Sequence, residues 1–187
     1  SSIDKNILLF SATMTKKVIA VTKKYMKNPV EISVTKLNRG ADNINHIFYM
    51  VHAKDRYEVV KRIADMNPNI YGIVFCRTRR ETKDVANKLM IDHYNADTIH
   101  GDLAQSERDE VMMRFRKKKI QILVATDVAA RGLDVEELTH VINYNLPDDD
   151  ETYIHRSGRT GRAGRNGVSI AIVHGRENQR IKNIESK

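Results

Sequence analysis

Four arginines lie within the eleven residues His155–Arg165 (HRSGRTGRAGR), separated by glycines and other small residues. A glycine inside a helix costs roughly 1 kcal/mol relative to alanine, so the three glycines predict that helical structure ends near Gly158. Arginine is permanently charged, and its planar guanidinium can hold two phosphate oxygens at once. The segment therefore predicts a phosphate-binding element. The structural alternative is an exposed basic turn that leads into a hairpin at Asn166-Gly167.

Residues Ile122–Asp134 (ILVATDVAARGLD) predict a buried strand that runs into a Thr-Asp turn and a stretch of small residues. Thr126 can place its hydroxyl and backbone N–H at the N-terminus of a helix, a position that suits phosphate. Asp134 is an acceptor suited to ribose hydroxyls, and Arg131 can pair with a backbone phosphate. Taken singly, Asp127 and Asp134 fit the role of turn or capping residues equally well. The combination favours a site for nucleotides or nucleic acid.

The charge of the chain suits a polyanionic partner but does not establish one. The 187 residues include 32 Lys and Arg against 24 Asp and Glu, which gives a formal charge of +8. Most surface lysines only solvate one face of a protein, so the motifs must decide between a basic surface and a nucleic-acid site.

The single cysteine and the absence of long apolar stretches bound the class of protein. Cys76 follows the apolar run Ile73–Phe75, so it is predicted to be a small buried side chain rather than half of a disulfide or a metal ligand. No apolar stretch approaches the roughly 20 residues that cross a bilayer, and the N-terminus lacks signal-peptide blocks. We expect a cytoplasmic protein with no membrane partner, and no set of residues predicts a metal site.

The elements that position these residues alternate along the chain. Short apolar, β-branched runs alternate with longer amphipathic ones, which is typical of βαβ units on a mostly parallel sheet. Ligands of such sheets bind at the carboxyl ends of the strands. The places there with unusual residues are Phe75–Thr78, His100–Arg108, Thr126–Asp134 and the segment after Tyr144–Pro147. The predicted strands are Ile7–Phe10, Pro29–Val34, Ile44–Val51, Ile70–Phe75, Ala96–Ile99, Ile120–Ala125, His140–Tyr144 and Val168–Val173.

Helices are predicted from capping signals and apolar spacing. Thr78-x-x-Glu81 has capping-box spacing at the start of one helix, and Ser106-x-x-Asp109 repeats that signal at another. The acidic run Asp148–Glu151 precedes a helix that contains His155, where negative charge suits the N-terminus. The apolar stripes, which we interpret as core, are Tyr57, Val60, Ile63 and Ala64; Val85, Ala86, Leu89 and Met90; and Val111, Met112 and Phe115.

Six short motifs are distributed along nearly the whole chain. They are SAT at Ser11–Thr13, IVFCRT at Ile73–Thr78, HGDLAQSER at His100–Arg108, ATDVAARGLD at Ala125–Asp134, INYNLP at Ile142–Pro147 and HRSGRTGR at His155–Arg162. In sequence and order they resemble motifs of the DEAD-box RNA helicases. The resemblance implies a RecA-like, doubly wound α/β fold with helices on both faces of a mostly parallel sheet. The string HRSGRTGRAG is most similar to bacterial members active in ribosome assembly or cold adaptation.

On the nucleotide side, the resemblance implies that Arg159 and Arg162 are arginine fingers that reach the γ-phosphate of ATP. The backbone near Gly132 and the carboxylate of Asp134 would meet the ribose. The chain contains no G-x-x-x-x-G-K-[ST] phosphate loop and no Asp-Glu-Ala-Asp run. The resemblance places those parts, which bind ATP and Mg²⁺, on an N-terminal RecA-like domain of the same protein. We therefore expect the chain alone to be unable to hydrolyse ATP.

On the RNA side, the resemblance implies contacts to the phosphates and 2′-hydroxyls of single-stranded or duplex RNA. The implied contact residues are Thr78, Gly101, Arg108, Thr126 and Arg131. Coupling of the nucleotide site to the other half of the motor is implied for Ser11, Thr13 and His155. Gln105 and Asp127 are expected to brace neighbouring loops. For His100, Gln105 and His155, hydrogen bonds that hold loops in place explain the residue as well as ligand contact does.

The resemblance also divides the chain. Residues 1–28 are expected to be the tail of the first helicase domain, 29–36 the interdomain crossover and 37–187 the C-terminal RecA-like domain. The apolar segment Ile7–Phe10 would then lack its native sheet. We expect it to pack on another surface, such as that of a second copy in a swapped dimer.

Two rival functions are weaker. One is a DNA translocase of the same superfamily, and the other is a non-catalytic scaffold that binds RNA or protein. The strings ATDVAARGLD and HRSGRTGR favour the RNA helicase over the first rival, and the pair of arginines at family spacing argues against the second. The sequence departs from the family at Ser157, where an aliphatic residue is frequent. We expect a small packing change there and no loss of chemistry.

Overall fold

The computed structural model describes residues 6–11, 14, 16–32, 43–131, 133, 135, 137–162 and 164–185. The chain forms two compact units, Ser1–Arg39 and Gly40–Lys187. The crossover expected at 29–36 lies just before this division. The assignment of residues 1–28 to a preceding helicase domain stays a prediction.

The described part of the first unit contains one helix, α1 (Lys16–Tyr25), none of whose residues is buried. Residues 7–10 and 29–32 have no regular secondary structure, and Leu8 and Phe10 are 78% and 90% exposed. The strands predicted at Ile7–Phe10 and Pro29–Val34 are therefore wrong over these residues; Ser33 and Val34 lie outside the described part. A strand forms only where a neighbour pairs with its backbone groups, and the described residues supply none here.

The second unit is built on six parallel strands in the order β1-β6-β5-β2-β4-β3. Each strand coincides with a predicted one to within two residues at either end. This confirms the predicted parallel sheet. The strands are β1 (Ile44–Met50), β2 (Gly72–Phe75), β3 (Ala96–Ile99), β4 (Ile122–Ala125), β5 (His140–Asn143) and β6 (Gly167–Val173). Because β6 pairs in parallel with both of its neighbours, the hairpin considered at Asn166-Gly167 does not form.

Helices lie on both faces of this sheet. They are α2 (Arg56–Met66), α3 (Arg79–Ile91), α4 (Gln105–Arg116), α5 (Asp127–Ala130), α6 (Asp150–Ser157) and α7 (Asn178–Glu185), with single 3₁₀ turns at Ala53–Asp55 and Gly175–Glu177. Side chains of a strand alternate between the two faces. Val74 and Val124 accordingly pack with α2 and α3, whereas Ile73 and Leu123 pack with α4 and α5. Both faces of the central strands are buried, which explains why they are apolar throughout.

Of the two helix starts predicted from capping-box spacing, one is confirmed and one is wrong. α3 begins as predicted, since the Thr78 hydroxyl accepts the Glu81 N–H at 3.2 Å. The start signal predicted at Ser106-x-x-Asp109 is wrong by two residues. There the Glu107 carboxylate accepts the backbone N–H of Ala104 at 2.7 Å, so the helix is capped without a side-chain acceptor at its first position.

The apolar stripes are confirmed with exceptions. Met90 is 42% exposed, because it lies at the edge of the helix face that Ala86 and Leu89 bury. Tyr57 is only partly buried and donates its hydroxyl proton to Asp92 at 2.7 Å. Cys76 follows β2 and is buried, as predicted, and burial raises the pKa of its thiol.

Candidate nucleotide and nucleic-acid site

Three of the predicted loops lie side by side at the carboxyl edge of the sheet. Because β4 runs between β2 and β3, the residues Thr78, Gly101 and Thr126 follow adjacent strands. Thr126 begins α5, and its hydroxyl accepts the Ala129 N–H at 3.4 Å. Polar groups from three strands are thereby presented on one edge of the domain.

His100 is buried and holds its own loop. Its Nδ1 accepts the backbone N–H of Asp102 at 3.3 Å, and burial lowers its pKa. The Asp102 carboxylate in turn accepts hydrogen bonds from Arg79 and Lys83, which fastens the loop to α3. Gly101 is exposed, and a Cβ there would meet no atom within 4 Å, so its backbone is open to a ligand. Of the two roles left open for His100, the structure contains the loop-holding hydrogen bond.

Arg108 joins α4 to α5. Its Nη2 donates to the carbonyl oxygen of Ala129 at 2.7 Å. Gln105 instead donates to Asp109 of its own helix at 2.8 Å, so the bracing of a neighbouring loop predicted for it is not what the structure contains. A side chain at the first position of a helix is closest to the residue one turn later, which explains this pairing. Arg131 follows α5 and is exposed.

Five further predicted site residues belong to the ribose contact or to the interdomain coupling. Thr13, Gly132 and Asp134 lie outside the described residues. Ser11 has an exposed side chain in the first unit, and His155 is exposed on α6. The ribose contact and the interdomain coupling stay predictions.

Arg156 is the residue whose position departs most from the sequence interpretation. It is 4% exposed, and it donates from Nε and Nη2 to the Asp127 carboxylate, both at 2.7 Å. Its Nη1 donates to Asn143 Oδ1 at 2.9 Å and to the carbonyl oxygen of Asn145 at 2.8 Å. The guanidinium also lies 4.9 Å from the centre of the Phe75 ring. As one of the four arginines it was predicted to bind phosphate, and for Arg156 this is wrong because its donors are engaged inside the domain.

A signal for this role exists in the sequence. Arg156 lies three residues after Tyr153 and one before Ser157, and all three belong to the buried face of α6. Residues three and four apart share a helix face, so the arginine falls on an otherwise apolar and small stripe. The partner was partly foreseen, since Asp127 was expected to brace a neighbouring loop and it contacts α6 through Arg156.

Ser157 makes more than a packing contact. Its hydroxyl is 2.9 Å from the carbonyl oxygen of Tyr153 and 2.8 Å from the hydroxyl of Ser169 on β6. Both serines are buried. The departure from an aliphatic residue is thus accompanied by a polar partner on the facing strand.

Arg159 and Arg162 lie away from the carboxyl edge. α6 has eight residues, about 12 Å of helix, and it carries the chain back toward the start of β5 and β6. The neighbouring Thr160 bonds to Leu138, two residues before β5 begins. The expectation that this segment joins the other three loops at the carboxyl edge is therefore wrong for the two arginines. They follow a helix, whereas the other three loops directly follow strands.

Both arginine side chains contact backbone carbonyls. Arg159 is half-buried and donates from Nη1 to Leu133 at 3.0 Å; burial, together with the charge of Arg162, lowers its pKa. Arg162 is exposed and donates from Nε to Gly158 at 3.0 Å. α6 ends at Ser157, next to the position predicted from the glycines. The two guanidiniums therefore stand on a non-helical turn.

Gly161 fixes the course of this turn. Its φ is +67°, a left-handed conformation that side chains other than glycine rarely adopt. A Cβ there would lie 2.6 Å from Cγ1 of Ile44. The glycine is needed for both reasons, because the turn packs directly against β1.

This combination of fold and motif positions is shared with known proteins. Residues 55–164 match the family described as "Helicase conserved C-terminal domain". The chain belongs to this family. Helicase C-terminal domains of the DEAD-box type are also its relatives by sequence and structure, which confirms the resemblance and the RecA-like fold predicted from the motifs.

The relatives are longer than this chain. The DEAD-box ATP-dependent RNA helicase CshA of Geobacillus kaustophilus is 41% identical over 182 residues, which are 97% of this chain and 39% of the relative. A solved DEAD box protein of Methanococcus jannaschii is 46% identical, with a TM-score of 0.73 over 98% of this chain and 49% of the other. Dbp5 of S. cerevisiae bound to RNA and ADP BeF3 is 32% identical, with a TM-score of 0.83 over 95% and 47%. The chain thus spans about two fifths to one half of these proteins.

The described residues of the helicase C-terminal domain bring the predicted site residues together in two groups. Thr78, Gly101, Arg108, Thr126 and Arg131 surround the carboxyl edge, and Arg159 with Arg162 lies beyond the end of α6. Within the described ranges, no helix is long and apolar enough to span a membrane. In the same ranges no three His, Cys, Asp or Glu side chains gather as they would around a metal ion.

Proposed function

We propose that this domain is the C-terminal half of an ATP-dependent RNA helicase. It supplies two arginines to ATP bound on a preceding RecA-like domain, and it forms half of the groove that holds the RNA backbone. The observation that carries the proposal is the pair of hydrogen bonds between Asp127 and Arg156. Asp127 begins α5 at the carboxyl edge of the sheet, and Arg156 lies in the helix that ends two residues before Arg159.

The RNA side is supported by the type of group at the carboxyl edge. Thr78 and Arg131 are exposed, and the backbone at Gly101 is open. Hydroxyls, guanidiniums and backbone N–H groups contact phosphates and sugars, which fixes the position of a strand without reading its bases. An RNA helicase needs such binding, because it acts on duplexes of any sequence.

The nucleotide side is supported by Arg159 and Arg162, two guanidiniums three residues apart on a turn. Guanidinium forks fit phosphate oxygens, and arginine fingers stabilise the charge that develops on a transferred phosphoryl group. Gly132 and Asp134 would meet the ribose. ATP, when bound with Mg²⁺ on the preceding domain, supplies the phosphoryl group; this chain orients the two arginines toward it.

In the proposed mechanism, closure of the two domains moves both arginines from their carbonyl partners to the phosphates. The same closure completes the RNA groove at Thr78, Gly101 and Thr126. A strand held there in a bent form is separated locally from its complement. Reopening after hydrolysis releases it.

The test is Arg159→Ala in protein that includes the preceding domain. We expect RNA-stimulated ATPase to fall by about 3–5 orders of magnitude, the usual contribution of arginine fingers. Arg165→Ala is the matched control, since Arg165 pairs with Glu137 at 2.7 Å and has no proposed role at the nucleotide. Unchanged ATPase in the Arg159 variant would contradict the proposal. ATPase stimulated equally by DNA of matched sequence would favour a DNA translocase, because only RNA offers the 2′-hydroxyl.

A further inference from the structure

A groove of about 460 Å³ opens beside α3 from its start to Lys88, and apart from Thr78 the proposed mechanism does not use it. Its walls are α3 and the segment Tyr144–Asn145 that follows β5. β2 and β5 are neighbours in the sheet, but the connection after β2 runs through α3 toward β3, whereas the connection after β5 runs through α6 to β6 on the opposite side. Such a divergence creates a crevice at the carboxyl ends of the strands, where α/β proteins bind ligands. Its volume is in the range of ligand sites.

One wall of the groove carries two positive charges whose partners within the domain are weak. Arg80 and Lys88 are eight residues apart on one face of α3, and both line the groove. The Arg80 side chain is 93% exposed, and its ion pair with Asp84 is long at 3.9 Å. The Lys88 ammonium lies 5.3 Å from the centre of the Tyr57 ring. Exposed pairs of this kind contribute little, so both cations are available to a phosphate.

The floor of the groove contains the carboxylate of Glu81 and the phenol of Tyr144. The Glu81 carboxylate accepts the backbone N–H of Arg77 and the side-chain amide of Asn145, each at 3.1 Å. Both carboxylate oxygens are therefore hydrogen-bonded within the domain. Tyr144 is 9% exposed, and burial raises the pKa of its hydroxyl to about 12, so it stays neutral. The lining also includes Asp84, so Arg77, Arg80 and Lys88 outnumber the two carboxylates by one, and this excess of positive charge suits a phosphate chain.

Thr78 connects the groove to the proposed RNA site at the carboxyl edge of the sheet. It lines the groove and also begins α3, whose opposite side holds the Asp102 loop through Arg79 and Lys83. An RNA strand with one phosphate at Thr78 therefore enters the groove if its next nucleotides run away from Gly101. From Arg80 to Lys88 the helix axis rises about 12 Å, the length of three to four stacked nucleotides of one strand.

We propose that the groove binds the nucleotides that follow the Thr78 phosphate, with Arg80 and Lys88 on two phosphates three to four nucleotides apart. The proposal rests on the proposed function, since it extends the same RNA strand. It assigns to this domain a longer footprint on single-stranded RNA than the edge residues alone provide. The binding is independent of base sequence, because Arg80 and Lys88 contact phosphates.

The test measures affinity as a function of RNA length. Fluorescence anisotropy of the chain with labelled single-stranded oligouridines of about 4 to about 12 nucleotides, at low salt, covers the site sizes of such grooves. We expect affinity to rise with length in the unmodified chain. The double variant Arg80→Glu/Lys88→Glu should keep the affinity for the shortest RNA and lose the gain with length. For the longest RNA, the logarithm of its affinity should depend less steeply on the logarithm of the salt concentration. The slope should be smaller in magnitude by about 1.4, the amount for two phosphates on a single strand.

The matched control is Lys117→Glu/Lys119→Glu. These lysines are exposed just after α4, and the substitution changes the net charge by the same amount. The control should keep the gain with length; an equal loss in both double variants would show a general charge effect and overturn the proposal. Retention of the gain in the Arg80 and Lys88 variant overturns it as well, while leaving the proposed function intact. If the unmodified chain binds no RNA of any length, the proposed function itself is contradicted. Thermal unfolding of both variants checks that they are folded.

Discussion

Arg156 and Asp127 face each other through two parallel hydrogen bonds, Nε to Oδ1 and Nη2 to Oδ2, each 2.7 Å long. The arginine is buried, whereas 43% of the Asp127 side chain is exposed. The pair joins α6 to the loop after β4, two segments almost thirty residues apart in sequence. The bidentate geometry fixes orientation as well as distance, because a planar guanidinium meets a planar carboxylate.

Asp127→Asn is expected to destabilise the domain, because it leaves the Arg156 charge buried without its counter-ion. Removal of one partner of a buried pair costs about 3–5 kcal/mol; the partial exposure of Asp127 places our expectation at about 2–3 kcal/mol. Urea unfolding measures the difference as a lower midpoint at unchanged slope. Asp84→Asn is the control, since its exposed pair with Arg80 is long, and it should change stability by less than about 0.5 kcal/mol. Equal stability of the Asp127 variant and the unmodified chain would show that the pair does not hold α6.

Much of the fold could be predicted from sequence because its determinants are local. The parallel strands are short apolar runs such as Gly72–Phe75, and Thr78-x-x-Glu81 places the start of α3 through a hydrogen bond within one turn. The strand predicted at Ile7–Phe10 failed because apolar composition does not supply a neighbouring strand. The start of α4 failed because its first position is Ala104, which has no side-chain acceptor, and only the Glu107 carboxylate marks the helix start.

The candidate site was predictable in its residue types and less so in its geometry. Exposed residues after strands, such as Thr78, were placed correctly by a general rule for α/β sheets. Arg156 was not, because its partners Asp127 and Asn143 come from other elements and only the fold brings them together. Arg159 and Arg162 were placed at the wrong edge, since the length of α6 decides where they lie.

Gly161→Ala is expected to destabilise the domain through its backbone. A non-glycine residue at φ +67° costs roughly 1–2 kcal/mol, and the 2.6 Å approach to Ile44 adds to this cost. Gly175→Ala is the control, because a Cβ there meets nothing within 4 Å and the φ is not positive. Thermal unfolding should therefore show a lower Tm for the first variant alone. Similar melting of the two variants would indicate that the turn adjusts without strain.

The Ser157–Ser169 contact is expected to be energetically coupled. Ser157→Ala leaves the Ser169 hydroxyl with one partner fewer in a buried site, at a cost of about 1–3 kcal/mol. Adding Ser169→Ala should then cost less than it does in the unmodified chain. A double-mutant cycle on unfolding free energies measures this coupling. Additive effects of the two substitutions would mean that the hydroxyls do not stabilise each other.

Stability is expected to depend on pH through three histidines. Burial lowers the pKa of His46, His100 and His140 below the usual value of 6.5. As the pH falls below about 6.5, the unfolded chain therefore binds protons that the folded chain does not. The free energy of unfolding should be at its full value above about pH 7 and decrease as the pH falls through the lower folded-state pKa values. Urea titrations between about pH 7.5 and 5.5 measure it, and a flat profile would contradict the prediction.

The bond between Arg159 and the Leu133 carbonyl bears on the entropy of the proposed reaction. A long, flexible side chain normally loses up to about 2 kcal/mol of rotamer freedom when it is fixed on a ligand. Here that freedom is already restricted when the domain folds, long before any nucleotide arrives. In the reaction that we propose, the arginine exchanges one oxygen acceptor for another, so the ordering of its side chain is largely completed when the domain folds rather than in each turnover.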